Sequence, residues 1–99
     1  MSNQTQVSTA QLIVAFLQEN CGAFMFAATH LDNLRRINNL SGQYYTYFHN
    51  KGLNWSGYNK CALTAASIDS MSDRQRKIFM TRFNAVLTAF YEIKKNVAK

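Results

Sequence analysis

Residues 72–95, S-D-R-Q-R-K-I-F-M-T-R-F-N-A-V-L-T-A-F-Y-E-I-K-K, carry an apolar stripe that a long amphipathic helix presents best. Phe79, Phe83, Val86, Phe90 and Ile93 recur at alternating spacings of four and three, which aligns them on one side of a helix of about six turns. Met80, Leu87 and Tyr91 widen the stripe, while Arg74, Lys77, Thr81, Thr88 and Lys95 fall largely opposite. Ser72 and Gln75 make a capping-box pattern at its start. Asp73 in the first turn, with Lys94 and Lys95 in the last, suits the helix dipole. So wide and aromatic a stripe has to be covered, and the preceding residues must do the covering.

Those residues read as further helices. Residues 1–7 are polar and expected to fray. Ser8 and Gln11 form a second capping box, opening a helix over 9–20 whose apolar side is Leu12, Ile13, Phe16 and Leu17. Gly22 suits a left-handed stop. A second helix is expected over 23–40, with Phe24, Ala27, Leu31, Leu34 and Ile37 inward, His30 packed beside them and Ser41-Gly42 as the stop. A short helix over 43–51 holds Tyr44, Tyr45, Tyr47 and Phe48, a density of tyrosines that suits a partly exposed aromatic surface. Gly52 breaks the chain, and Trp55 in the following turn is expected to plug a gap between helices. A fourth helix over 57–70 would turn Tyr58, Cys61, Ala62, Ala65 and Ile68 inward. The expectation is one all-α domain, a compact bundle of four or five helices around the long C-terminal one. The absence of proline and the presence of only four glycines agree with helices joined by short turns.

The same sequence narrows function mainly by what it lacks. The acids Glu19, Asp32, Asp69, Asp73 and Glu92 are scattered, and His30 and His49 have no metal-ligand spacing with each other or with Cys21 and Cys61. No glycine-rich phosphate loop or nucleophile motif occurs. The expectation is a non-catalytic binding protein without cofactor or metal. The two cysteines read as buried thiols of a reducing compartment. No apolar run approaches the roughly 20 residues that span a bilayer, and the N-terminus lacks a signal-peptide pattern. A cytoplasmic protein without a membrane partner is expected. Eleven Lys and Arg against five acids give a charge of +6, concentrated in the last helix and tail, which attracts polyanions or an acidic protein face.

From Tyr47 onward the chain resembles the AsiA family of phage anti-sigma factors. The matching runs are Y-F-H-N-K-G-L and S-M-S-D-R-Q-R-K-I-F-M-T-R-F-N, with the Met71-Ser72 cap entry, Arg76-Lys77, Phe79-Met80 and Phe83-Asn84 in the family's order and Tyr91 eight residues after Phe83. The first helix, A-Q-L-I-V-A-F-L, is similar in character to the family's, and extra residues fall around the second. The resemblance implies a small helical protein of the host bacterial cytoplasm that binds the sigma factor of RNA polymerase and redirects transcription. It implies apolar contacts from the first helix, here Leu12, Ile13, Phe16 and Leu17, on a surface that also serves a homodimer. The sigma region concerned is basic, however, and a partner at +6 must meet it through apolar contacts or turn its basic helix elsewhere.

Two other readings stand beside this one. A DNA-binding domain would use a loose helix-turn-helix at Met71-Ser72, with Arg74, Gln75, Arg76, Lys77 and Arg82 facing a polyanion. A phage inhibitor of another host or defence enzyme would use Tyr45 and Tyr47.

Overall fold

The computed structural model describes residues 8–54 and 60–97, and the chain is mostly helical. Its elements are α1 (Thr9–Leu34), a 3-10 turn (Leu40–Gly42), α2 (Tyr44–His49), β1 (Leu53–Asn54), β2 (Lys60–Cys61), α3 (Ala65–Asp69) and α4 (Asp73–Val97). The expectations for residues 1–7 and for Trp55, Gly57 and Tyr58 lie outside the described residues.

Both capping boxes form. The Ser8 hydroxyl accepts from the Gln11 amide at 3.1 Å, and the Gln11 side chain accepts from the Ser8 amide at 2.9 Å. Ser72 and Gln75 repeat the exchange at 3.1 Å in each direction. In α4 the stripe faces inward as its spacing predicts: Phe79, Phe83, Val86 and Phe90 are buried and Ile93 packs beside them, with Tyr91 turned out.

The helices expected over 9–20 and 23–40 run on as α1, in two helical stretches that meet at a kink at Asn20, where the first was expected to end, and the second stops at Leu34. At Asn20 the backbone leaves helical geometry (φ −125°, ψ 23°), and its side-chain amide donates to the Phe16 carbonyl at 2.9 Å, satisfying an acceptor at the kink. Gly22 does not stop the helix, because Phe24, Met25, Ala27 and Ala28 beyond it are all buried, and that burial carries the helix through. As a single helix α1 is long and apolar enough to cross a membrane by length and composition, which the division at Gly22 had hidden. Its inward side, however, is the core face that α4 covers.

α1 ends at Leu34, well before the expected glycine stop. The Ile37 amide bonds the Asp32 carbonyl at 2.9 Å and the Arg36 amide bonds Asn33 at 3.1 Å, the two bonds of a Schellman motif. Arg36 occupies its left-handed position at φ 55°, where glycine is the usual residue.

The helix expected over 57–70 is also replaced. Leu53 and Asn54 pair antiparallel with Cys61 and Lys60, and among the described residues of that span only Ala65–Asp69 is helical, capped by the Thr64 hydroxyl on the Ser67 amide at 3.1 Å. Gly52 turns the chain into β1 at φ 105°, and an added Cβ there would stand 3.1 Å from Ala62.

α1, rather than α4, is the element that packs against α2, α3, α4 and both strands, while α4 packs mainly on α1. The seam is aromatic. Phe24 lies edge-on to Phe48 at 5.0 Å and stacks on Phe83 at 5.5 Å; Phe16 meets Phe90 at 5.3 Å, and Phe48 reaches Phe79 at 5.9 Å. Each pair adds about 0.5–1.5 kcal/mol to the burial of its rings.

Two substitutions separate the two strained turns by sign. Arg36→Gly should raise stability in urea unfolding by about 0.5–1 kcal/mol, because it relieves a left-handed side chain. Gly52→Ala should lower it by about 1–3 kcal/mol, since strain and the Ala62 contact act together.

Candidate binding surface

One carboxylate sets up the surface. Asp32 is the buried charged residue among the described ones, at 4% exposure. Its two oxygens accept from the amides of Tyr44 at 2.7 Å and Tyr45 at 3.1 Å, the open start of α2. Gln43, in the cap position, makes no such bond itself. α2 is thereby held with Phe48 in the core and Tyr44, Tyr45 and Tyr47 half-buried around it.

Cations from three segments meet two of these tyrosines. The Arg35 guanidinium lies 5.5 Å from the Tyr44 ring centre, and its Nη1 donates to the Tyr44 hydroxyl at 2.7 Å. Arg82 of α4 stands 5.8 Å from the Tyr44 ring and 4.8 Å from the Tyr47 ring. Lys51 reaches the Tyr47 ring at 5.3 Å. The order Arg35, Tyr44, Arg82, Tyr47, Lys51 alternates cation and ring, each contact worth about 0.5–2 kcal/mol. Among the described residues none of the three cations is hydrogen-bonded to a carboxylate, and Nη1 of Arg82 is buried without an acceptor. Burial pushes the Tyr47 hydroxyl pKa up, with Arg82 drawing it partly back.

Beside this ladder, the C-terminal half of α1 and the facing side of α4 enclose an open groove of about 270 Å³. Ala85 and Ala89 line it from α4, Leu31, Leu34 and His30 from α1, with Arg35 and Glu92 also in its wall. His30 is exposed there, rather than packed as the sequence suggested.

The residues nominated from sequence separate sharply. Of the first-helix set, Ile13 and Leu17 are core, Phe16 is half-buried among Phe24, Phe83 and Phe90, and Leu12 is 59% exposed. Tyr45 stacks on His49 at 6.0 Å and lines a hollow with Thr29, Asn33 and Gln43, whereas Tyr47 belongs to the cation ladder. At the start of α4, Gln75 is engaged in its cap and Arg76 donates to the Asp69 carbonyl at 2.8 Å. Arg74 and Lys77 are exposed, and Lys77 shares a shallow hollow with Ile78, Thr81 and Arg82.

Sequence reasoning missed the outer side of α1. Phe26 is 53% exposed, and Leu34, expected to face inward, is 70% exposed; Leu12, nominated from sequence, is exposed as well. Leu12 lies before the kink at Asn20 and Phe26 and Leu34 after it, so no unbroken helical repeat joins the three. Arg35, Asp32 and Lys51 were missed for lack of any local pattern.

Burial pushes the thiols of Cys21 and Cys61 up, which makes their reactive thiolates scarce. Among the described residues no three of His, Cys, Asp and Glu stand together as metal ligands. Compared with protein-family models, curated proteins and solved structures, the chain gives no match.

Asp32→Ala should lower stability by about 1–3 kcal/mol in urea unfolding, because two amides lose a charged acceptor. The tyrosine environment should loosen with it, read as a change in near-ultraviolet dichroism.

Proposed function

We propose that this chain is a non-catalytic protein-binding regulator of bacterial transcription, of the AsiA-like anti-sigma kind. Its contact surface is the outer side of α1. The observation that carries this reading is the exposure of Leu12, Phe26 and Leu34 on a helix whose other side is already core. Each of these side chains gains up to about 1.5–3 kcal/mol when a partner buries it fully. The target class comes from the resemblance of the chain from Tyr47 onward, which also points to the first helix as the contact. Leu12 is the nominated residue free to make that contact; Phe26 and Leu34 take the places that Ile13 and Leu17 cannot. The same apolar side suits a homodimer that opens when the partner binds.

The DNA-binding reading has a narrower footing. Arg74 and Lys77 remain exposed, but Gln75 and Arg76 are engaged and the helix before them has only five residues. The reading as an inhibitor of another enzyme rests on Tyr45 and Tyr47, of which Tyr47 is covered by Arg82 and Lys51.

The test is capture from a nuclease-treated bacterial lysate with tagged protein. Wild type should retain RNA polymerase with its sigma factor. Phe26→Lys and Leu12→Lys should each weaken capture by about tenfold or more, as expected for exposed anchors of an interface. Because both side chains face solvent, the melting temperatures should stay near the wild-type value. Capture that disappears with nuclease would transfer the assignment to nucleic acid.

A further inference from the structure

We infer that the α1/α4 groove and the cation ladder at its end form one docking site for an amphipathic helical segment of a partner protein, acidic at one end. The inference rests on the reading of the chain as a protein-binding module and names the chemistry of what it binds. Arg35 joins the two features, since it lines the groove and also bonds Tyr44 at the head of the ladder. Its neighbours on the ladder are cations held in place by ring faces and given no carboxylate among the described residues. Held guanidinium groups lose little freedom on pairing, and they match carboxylate geometry.

The ring faces decide between classes of anion. Single-stranded nucleic acid gains much of its affinity from bases stacked on exposed aromatic faces. Here Tyr44 and Tyr47 have cations against their rings, and the ladder opens onto Leu31, Leu34, Ala85 and Ala89, which offer nothing to a phosphodiester. Carboxylates alternating with aliphatic side chains fit both parts.

The site also has a direction. Arg82, Ala85, Ala89 and Glu92 follow one another along α4 at spacings of three, four and three, so the charged ends stand about 15 Å apart. Glu92 repels a carboxylate at its end and favours a lysine there. The occupant is therefore acidic toward Arg35 and Arg82, apolar over the two alanines, and neutral or basic toward Glu92.

The probe is a fluorescein-labelled synthetic helix with leucines on one side, a glutamate-rich turn at one end and a lysine at the other. Fluorescence anisotropy should show it binding the wild-type chain, with affinity falling as salt rises. Replacing its glutamates by glutamines should weaken binding about tenfold or more, as should Arg35→Glu in the protein. Ala89→Trp, which fills the groove, should weaken it whatever the charge, while Arg35→Lys should retain part of the affinity. Circular dichroism and melting temperature establish that each variant is folded. Equal binding of the glutamate and glutamine peptides would overturn the inference, as would an affinity untouched by Arg35→Glu. Stronger Arg35-dependent binding of a single-stranded oligonucleotide would overturn it in favour of nucleic acid. If Arg35→Glu binds no peptide but Phe26→Lys still captures polymerase, the docking site stands and the α1 reading falls. If Phe26→Lys loses polymerase while the peptide ignores Arg35→Glu, the reverse holds.

Discussion

The carboxylate of Asp32 is the constraint from which the functional side of this molecule follows. Burying a carboxylate is expensive unless its oxygens are hydrogen-bonded, and here each accepts an amide at the start of α2. The carbonyl of the same residue takes the Ile37 amide, so one residue both ends α1 and begins α2. α2 has only six residues, too few for a stable helix in isolation, and it depends on this fixed start and on Phe48 in the core. With the start set, the tyrosines cannot rotate freely about the helix axis, and Tyr44 and Tyr47 come to lie against Arg82. The contribution of Asp32 is therefore less a gain in stability than a choice of which faces α2 shows.

What was legible in the sequence was what is local. The capping boxes at Ser8 and Ser72 involve residues three apart, and the α4 stripe needs only the helical repeat, so both could be read directly. The end of α1 was unreadable for a specific reason: the left-handed residue that closes it is Arg36, and the search for a glycine ran on to Gly42. The β1–β2 pair was missed because each strand is two residues long and has meaning only through the other. At the candidate surface, Leu12 and Ile13 are adjacent and equally apolar, and only the rotation of α1 against α4 decides that one is exposed and the other core. Arg82 looked like part of a basic run, although Tyr44 and Tyr47 had already claimed its guanidinium.

That last case changes what the net charge of +6 implies. A uniform basic excess would be a diffuse attraction for any polyanion. In the fold, part of it is drawn into cation–ring contacts beside an apolar groove, and Arg76 is bonded to a backbone carbonyl. Cations arranged in this way discriminate by shape and spacing as well as by sign. In the proposed reading, the basic character of the chain is compatible with an apolar contact to a basic partner region, because the two surfaces differ in chemistry. Leu12 and Phe26 on the outer side of α1 need no complementary charge, whereas Arg35 and Arg82 do.

The two surfaces meet at Leu34, which is exposed on α1 and also forms part of the groove wall. Behind it, α1 keeps Leu17, Cys21, Phe24, Met25, Ala27 and Ala28 in the core, while Leu12, Phe26 and Leu34 stand exposed among polar residues on the other side. A helix with that pattern is stable in water only if one side is covered within the chain, which α4 does through the phenylalanine seam. The other side leaves Leu12, Phe26 and Leu34 exposed. α1 is thus the central element of the core and, in the proposed reading, also the binding surface, and those roles limit each other. Any rotation of α1 that exposed Ile13 and Leu17 to a partner would break the Phe16–Phe90 and Phe24–Phe83 contacts. Recognition through α1 must therefore use the residues that the core leaves over, a set fixed by packing rather than by the hydrophobicity of the sequence.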